Sequence, residues 1–248
     1  MQKPKILCVI PSRLQSTRLP RKPLVMLGNK PMIQWVYEGA LTCPHLSEVI
    51  VATDSQEIAD VILKIGGKVE MTPSELPTGT DRVAFVAQKY SEYEVVVNLQ
   101  GDEPFIKGEM LSSLVEPYLK GLNPSMATLA CPIDMATEYN DPNTVKVIYN
   151  KLNQAIYFSR SPIPFYREKN VDDVPILMHL GLYAYTRQFL LEYPTMKQTP
   201  LEKAEVLEQL RALENGIPIY VSQTPHRIIE INYPHDLEAA NEYLKGLK

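Results

Sequence analysis

The sequence predicts an α/β protein with a mostly parallel central sheet flanked by helices. Apolar, strand-like runs alternate with helical patterns through the first half of the chain, and such alternation is typical of right-handed crossovers between parallel strands. Two unusual polar loops follow the runs at 6–10 and 95–99. Because parallel sheets bind ligands where their strands end, these two loops are the first candidates for a binding site.

Each predicted element comes from its hydrophobic period. Short apolar runs predict strands at 6–10, 48–52, 68–71, 95–99, 126–131 and 145–149. Apolar residues spaced three or four positions apart predict helices at 32–40, 56–65, 81–90 and 109–119. Farther along, the patterns predict strands at 180–186, 217–221 and 228–231, and helices at 201–213 and 234–247.

The segment 150–175, rich in Tyr, Phe, Pro and Arg, breaks this alternation. An inserted flap or a dimerisation insert would explain it, and the sequence does not choose between them. There is no internal repeat or low-complexity linker. We therefore predict a single domain covering residues 1–248.

Composition excludes several classes of protein. The 248 residues carry a net charge of −4, with 45% hydrophobic and 22% charged residues, which is ordinary for a globular protein. The three cysteines, Cys8, Cys43 and Cys131, are widely spaced and indicate neither a disulfide framework nor a zinc site. The first apolar run is too short for a signal peptide, and no segment reaches membrane-spanning length. We expect a cytoplasmic protein with no membrane partner.

The loop after the first strand carries the strongest functional signal. The first 37 residues contain no Asp or Glu, yet they hold a cluster of cations: Arg13, Arg18, Arg21, Lys22 and Lys30. On an acidic chain, such a local cationic field suits a compact polyanion and not a long nucleic acid. We predict that Arg13, Arg18 and Lys22 bind a nucleoside triphosphate; a solvated basic loop is the alternative. No Gly-rich phosphate motif follows the strand, so side chains must hold the phosphates.

Asp102 is the candidate metal ligand. It follows the run 95–98 by a short turn at Gly101, so its carboxylate is expected at the carboxyl end of a strand, facing the basic loop. A hard carboxylate there can hold Mg²⁺, which keeps several waters and is completed by phosphate oxygens. The alternative is a helix N-cap, because Asp102 and Glu103 precede Pro104.

Three segments together resemble one family: IPSRLQSTRLPRKPL at 10–24, NLQGDEP at 98–104, and PLE to LEQLR at 200–211. The family is the 3-deoxy-manno-octulosonate cytidylyltransferases, or CMP-Kdo synthetases, and matching blocks run in order from about residue 6 to 244. The resemblance implies a nucleotide-diphospho-sugar transferase, Rossmann-like fold. It also implies a homodimer that joins CTP to 3-deoxy-manno-octulosonate (Kdo), giving CMP-Kdo and pyrophosphate for lipopolysaccharide biosynthesis, with Lys22, Arg13 and Asp102 as catalytic residues.

The resemblance also assigns residues to the two substrates. Gly79 and Arg82, with Gln100, are implied for cytosine or ribose recognition; a plain capped turn would explain Thr80 and Asp81 of that segment but not Arg82. For the sugar acid, the segments at 159–164 and 179–183 imply the following contacts: Arg160, His179, Tyr183, Glu208 and Gln209. The Arg160 fork suits a carboxylate. A structural histidine and a solvated polar helix face are the alternatives for His179 and for the Glu208–Gln209 pair.

Asn232 departs from the family pattern. The family has an Asp before its last helix that joins the strand-end Asp in binding metal, whereas this chain has Ile231-Asn232-Tyr233-Pro234. An amide oxygen can ligate Mg²⁺ but lacks the negative charge. Either the enzyme is slower, or Glu230 and its neighbours compensate, or the sugar differs. The alternatives are a cytidylyltransferase for an 8-amino Kdo analogue or a sialic acid, and a catalytically weakened nucleotide-binding homologue.

Overall fold

The computed structural model describes residues 3–15, 19–168, 174, 176–231 and 233–246. Its strands are β1 (Ile6–Ser12), β2 (Met26–Leu27), β3 (Lys30–Pro31), β4 (Glu48–Thr53), β5 (Lys68–Met71), β6 (Val95–Asn98), β7 (Met126–Cys131), β8 (Lys146–Tyr149), β9 (Ala155–Ser159), β10 (Ile176–Thr186) and β11 (Ile219–Gln223). Its helices are α1 (Met32–Leu41), α2 (Gln56–Lys64), α3 (Gly79–Lys89), α4 (Gly108–Leu119), α5 (Arg187–Glu192), α6 (Pro200–Glu205), α7 (Leu210–Glu214) and α8 (Pro234–Gly246). Two 3-10 turns lie at Lys22–Leu24 and Tyr193–Thr195.

The described residues cluster into two compact units. The first unit comprises Met1–Ser112 with Ile228–Lys248, and the second comprises Ser113–Arg227. The prediction of a single domain over 1–248 stays a prediction. None of the helices within the described residues is both long and apolar enough to cross a lipid bilayer.

The first unit is built on parallel strands. β1 lies between β4 and β6 and is parallel to both, and β5 extends the set beyond β4. Every residue of β1 is buried, because a strand covered by helices on both faces takes a continuous apolar run. This arrangement puts the carboxyl ends of β1 and β6 side by side, where the two polar loops begin.

Helix α8 packs against the basic loop of the same unit. Leu19, Leu27, Met32, Ile231 and Ala240 form one buried apolar cluster. The backbone N–H of Gly28, in the turn between β2 and β3, donates to Asn241 Oδ1 at 3.1 Å. The segment that carries Lys22 is therefore tied to the last helix of the described chain.

The second unit has a mixed sheet. β7 is parallel to β11 and antiparallel to β10, and the antiparallel pairs β10–β8 and β8–β9 follow. A bulge interrupts the pairing of β10 with β7 between Leu180 and Tyr183. Part of the segment 150–175 is thus a strand, since β9 pairs with β8.

Two predicted elements were wrong. The helix predicted at 201–213 is two short helices, α6 and α7, because Val206 adopts φ 54° and ψ 49°, a left-handed conformation that ends α6. Residues 228–231 form no strand. Strands β2, β3 and β9 and helix α5 were not predicted.

Candidate nucleotide and sugar-acid sites

Lys22 and Asp102 form an ion pair in the first unit. Lys22 begins the 3-10 turn after the basic loop, and Asp102 follows β6 by a short turn. Lys22 Nζ lies 2.6 Å from Asp102 Oδ2, and the two side chains are 17% and 24% exposed. A charge-assisted bond of this length, partly screened from water, is among the stronger polar contacts in proteins. The structure thus brings together the two residues that the sequence predicted to face each other.

Close backbone packing positions Asp102. A Cβ on Gly101 would lie 3.0 Å from Pro11 O and 3.5 Å from Ser12 Oγ, so a side chain here would push against the end of β1. On its other side, the Asp102 carbonyl accepts a hydrogen bond from Ile231 N at 3.1 Å. The Asp102 carboxylate therefore projects from a main chain held at both sides.

Arg13 and Gly79 border the same strand end. Arg13 leaves β1 directly, and its Nη2 donates to Leu76 O. Gly79 begins α3, and a Cβ there would lie 3.4 Å from Pro11 Cγ. Helix α3 has a capped start, but its N-cap is Thr78, paired reciprocally with Asp81, and not Thr80.

Gln100 lies on the turn between β6 and Asp102. Its Nε2 donates to Asn98 Oδ1 at 3.3 Å, and its Oε1 would lie 3.9 Å from a Cβ on Gly79. These two residues, both predicted to bind the nucleoside, are thus close neighbours at the end of β1. Their roles toward a ligand stay predictions.

Arg82 is a buried residue of α3. Its side chain is 0% exposed, and its guanidinium donates to Thr72 Oγ1 and, at 3.2 Å, to Asp54 Oδ2. Burial lowers the pKa of Arg82, and the Asp54 carboxylate acts against that shift. Arg82 thus has a packing and pairing role within the fold, and its predicted contact with the base stays a prediction.

Glu103 is a buried acid that sequence reasoning missed. It is 1% exposed, and within the described chain its Oε2 has no hydrogen-bond partner. Burial, together with the Asp102 and Glu230 carboxylates, raises the pKa of Glu103 well above its ordinary value. The acidic pair before Pro104 was visible in the sequence, but the pattern does not tell which carboxyl points inward.

The first unit offers one protein ligand that suits a magnesium ion. Asp102 supplies the hard oxygen ligand that Mg²⁺ prefers. Over the described residues no group of three or more His, Cys, Asp or Glu side chains could hold a metal, so water and phosphate oxygens would have to complete the coordination. Two predicted site residues, Arg18 and Asn232, lie outside the residues that the structure describes.

In the second unit, Arg160 follows β9 and is held by main-chain carbonyls. Its Nε donates to Glu205 O at 2.8 Å, and its Nη1 donates to Pro142 O at 3.0 Å. The Glu205 carboxylate accepts from Ser159 Oγ at 2.6 Å and from Arg160 N at 2.9 Å. A guanidinium has five N–H donors, so, counting partners among the described residues, donors on Nη1 and Nη2 remain for a ligand.

The rings of His179 and Tyr183 lie close together on β10, although the bulge separates the two residues. Their ring centroids are 5.6 Å apart, and Phe158 packs against the His179 ring at 4.9 Å. Burial lowers the pKa of His179 to about 3. Thr128 Oγ1 lies 2.8 Å from Leu182 O, to which it donates, and 2.9 Å from His179 Nε2. Because the hydroxyl has one proton, Nε2 must donate to it, and the neutral ring keeps Nδ1 as its acceptor.

Gln209 is buried, so the alternative of a solvated polar face does not hold for this residue. It is 2% exposed and its Oε1 accepts from Tyr183 OH at 3.0 Å. The left-handed Val206 turns the chain so that Gln209 points inward. Glu208 accepts from Tyr193 OH through its carbonyl at 2.6 Å. Gln209 and Tyr183 are therefore joined, whereas Glu208 lies on a neighbouring, half-buried surface.

The comparisons identify the family. The sequence profile of the cytidylyltransferase family matches residues 7–224. The 3-deoxy-manno-octulosonate cytidylyltransferase of Acaryochloris marina is 52% identical over 240 residues, which is 97% of each chain. That of Synechococcus elongatus is 42% identical over 239 residues, covering 96% of this chain and 98% of the relative.

Solved structures of other cytidylyltransferases resemble this chain in fold. The structure of CMP:2-keto-3-deoxy-manno-octonic acid synthetase complexed with CTP matches with a TM-score of 0.92 at 39% identity, covering 98% of this chain and 100% of that one. A 4-diphosphocytidyl-2C-methyl-D-erythritol synthase from Anaerococcus prevotii, at 16% identity and a TM-score of 0.65, covers 98% of this chain and 96% of that one and shares the fold alone. These likenesses confirm the α/β fold with a mostly parallel central sheet flanked by helices. The chain is a nucleotidyltransferase that belongs to the cytidylyltransferase family and, within it, to the 3-deoxy-manno-octulosonate cytidylyltransferases.

Proposed function

We propose that this enzyme joins CTP to Kdo, giving CMP-Kdo and pyrophosphate. The relatives that match over nearly the whole chain carry the name of this activity, and the 39% identical structure was solved with CTP. The observation that carries the proposal is the Lys22–Asp102 pair at the carboxyl ends of β1 and β6. This pair holds a cation and a carboxylate at the strand ends where parallel sheets bind nucleotides, and it supports the assignment of Asp102 as a metal ligand.

The reaction needs no covalent intermediate on the protein. The anomeric hydroxyl oxygen of the sugar forms a bond to the α-phosphorus, the bond from that phosphorus to the oxygen bridging the β-phosphate breaks, and the hydroxyl proton passes to solvent. Lys22 and Arg13 neutralise charge on the phosphates, which is the main protein contribution to such transfers. Cys8 is excluded as a nucleophile, because it is 0% exposed and burial raises its thiol pKa.

Magnesium is part of the proposal, with Asp102 as its protein ligand. When bound, Mg²⁺ would supply charge neutralisation of the triphosphate. The role of Asn232 rests on the family pattern alone. If it ligates metal, Asn232→Asp adds an anionic oxygen and should lower the Mg²⁺ concentration for half-maximal rate. An unmoved magnesium titration would remove residue 232 from the metal site.

The sugar acid is assigned to the second unit. Arg160 keeps donors on Nη1 and Nη2 that can bind a carboxylate in a fork, and the neutral His179 with Tyr183 and Gln209 offers hydroxyl-binding groups. An 8-amino Kdo analogue and a sialic acid share that carboxylate. They remain the alternative substrates, and a catalytically weakened nucleotide-binding homologue remains the alternative function.

Pyrophosphate release tests the proposal. CTP, ATP, GTP and UTP would each be incubated with Mg²⁺ and with Kdo, the 8-amino analogue or N-acetylneuraminate. We expect the CTP–Kdo pair to react fastest. Another preferred sugar would revise the substrate, and no release with any pair would favour the weakened homologue. Lys22→Ala should lower turnover about a hundredfold, whereas Lys64→Ala, on the exposed end of α2, should not.

We also propose a cytoplasmic homodimer that serves lipopolysaccharide biosynthesis and has no nucleic-acid or membrane partner. The family resemblance suggests the dimer. Among the exposed large apolar residues of the second unit, three near the segment 150–175 are assigned to the dimer contact: Leu152, Ile156 and Phe165. Sedimentation equilibrium should give a dimer that Ile156→Lys with Phe165→Glu dissociates. Leu41→Lys, an exposed apolar residue of the first unit, should leave the dimer intact; an unaltered mass in the double variant would exclude this surface.

A further inference from the structure

Lys146 is a buried cation to which the sequence assigned no role. It is 0% exposed at the start of β8. Its Nζ lies 2.9 Å from Asp141 O, 2.6 Å from Thr144 O and 2.6 Å from Arg160 O. An ammonium has three N–H donors, so all of them are used on main-chain carbonyls. Lysine is almost never fully buried without such partners.

These three bonds join two segments. Asp141 and Thr144 belong to one tight turn, closed by a hydrogen bond from Thr144 N to Asp141 O at 3.2 Å. Arg160 lies just after β9, whose residue Ser159 pairs with Lys146 in the sheet. The ammonium thus fixes the turn 141–144 and the main chain of Arg160 to the same point.

The turn also orients the Arg160 side chain. Pro142, in the middle of the turn, accepts a bond from Arg160 Nη1 at 3.0 Å, and Glu205 O accepts from Nε at 2.8 Å. Lys146 therefore holds the arginine backbone and one of the two carbonyls that aim its guanidinium. Loss of Lys146 would therefore free the Arg160 main chain and the turn that carries the Pro142 carbonyl at the same time.

Lys146 also adds positive charge beside Arg160. Burial lowers the pKa of Lys146, and Arg160 acts in the same direction, while Asp141 and Glu205 oppose the shift. Two cations placed together repel each other, which costs free energy. An anion bound by Arg160 would be favoured by both.

We propose that Lys146 is a positioning residue for the sugar acid, acting through Arg160. This inference rests on the proposed function, in which Arg160 binds the carboxylate of the sugar. Lys146 touches no substrate in this account. Its effect is to keep the Nη1 and Nη2 donors of Arg160 in the orientation that a carboxylate requires.

The test separates the KM for Kdo from the KM for CTP. Lys146→Met keeps the length of the side chain and removes the charge and all three bonds. We expect its KM for Kdo to rise about tenfold or more while the KM for CTP changes less than about twofold. Lys146→Gln, which keeps an amide donor, should recover part of the loss. A residue that only stabilises the fold would move neither constant selectively.

Tyr118→Phe is the control for lost stability in the same unit. It removes a buried bond from Tyr118 OH to Ala184 O, 2.9 Å long, and should lower the melting temperature with both KM values unchanged. If Tyr118→Phe gives the same selective rise, the effect reflects stability and the proposal is overturned. If Lys146→Met does not fold, the proposal predicts a selective rise in Lys146→Gln, and unchanged constants there overturn it.

Arg160→Lys distinguishes failure of this inference from failure of the proposed function. It keeps the charge and loses the fork, so the KM for Kdo should rise selectively. If it does and folded Lys146→Met shows no rise, the positioning role is wrong and the sugar assignment stands. If Arg160→Lys changes the CTP constant, or neither constant, the assignment of the carboxylate to Arg160 is wrong and the positioning role falls with it.

Discussion

Lys22 Nζ lies 2.6 Å from Asp102 Oδ2, and this contact joins the basic loop to the turn after β6. The two residues are eighty positions apart in the chain. Both belong to loops that leave the carboxyl ends of adjacent parallel strands. The ion pair therefore connects the residue proposed to neutralise phosphate with the residue proposed to hold metal.

An ammonium and a divalent cation compete for the same carboxylate, which gives a first prediction. Lys22→Met should lower turnover about a hundredfold or more, yet tighten the binding of Mn²⁺ to enzyme without nucleotide, because Asp102 no longer pairs with a cation. Electron paramagnetic resonance of Mn²⁺ measures that affinity. Lys64→Met should leave it unchanged. Weaker Mn²⁺ binding in Lys22→Met would show that the carboxylate is not the shared partner.

Gly101 tests the close packing under Asp102. Gly101→Ala puts a Cβ 3.0 Å from Pro11 O, which is tighter than ordinary contact, so we expect a loss of about 1–3 kcal/mol in the free energy of unfolding and a large fall in turnover. Gly181→Ala is the matched control, since a Cβ there meets nothing within 4 Å. Urea denaturation measures the free energy of unfolding of the two variants, and pyrophosphate release measures their turnover. Equal stability of the two variants would contradict the account of this turn.

Val206 carries backbone strain that can be relieved. It is a β-branched residue at φ 54°, a conformation that costs roughly 1–2 kcal/mol for most residues and that Asn tolerates better. Because its side chain is 76% exposed, Val206→Asn should stabilise the protein by about 0.5–1 kcal/mol with the KM for Kdo unchanged. Ala204→Asn, inside α6, should instead destabilise it. A less stable Val206→Asn protein would contradict the left-handed turn.

The buried, neutral His179 should make the stability of the folded protein depend on pH. Its pKa in the folded protein is about 3, whereas an unfolded histidine titrates near 6.5. Between these values the unfolded chain binds the proton and the folded protein does not, so this contribution is present above pH 6.5 and is lost as the pH falls toward 3.

Melting temperatures at pH 7.5, 6.0 and 5.0 measure that loss. The stability advantage of the wild type over His179→Gln should shrink as the pH falls. Tyr118→Phe, which removes a buried hydrogen bond but no group that titrates between pH 5 and 7.5, should show no such trend. An advantage that stays constant over this range would mean that the His179 ring is not buried in its neutral form.

Much of the candidate nucleotide site could be predicted, because ligands of a parallel sheet bind where its strands end. Apolar runs located β1, β4, β6 and β7 within a few residues, and loops at their carboxyl ends located Lys22 and Asp102. The predicted first strand stopped before Pro11, because proline has no backbone N–H for a sheet hydrogen bond. In the structure β1 continues to Ser12.

Other features depend on contacts between distant residues. Nothing local marks Val206 as left-handed, so the predicted helix ran through it and put Gln209 beside Glu208 on one polar face. Lys146 looks like an ordinary strand residue until the turn 141–144 and Arg160 surround it. The inward direction of Glu103 likewise depends on packing and not on the sequence pattern.

The proposed reaction is tested most directly by measuring the ratio of CMP-Kdo to pyrophosphate formed from CTP and Kdo with Mg²⁺. Mass spectrometry of the sugar nucleotide, together with a pyrophosphate assay, follows both products in one reaction. The account predicts one CMP-Kdo for each pyrophosphate, at a rate that falls about a hundredfold in Lys22→Ala. Pyrophosphate released without CMP-Kdo, or an unchanged rate in folded Lys22→Ala, would contradict it.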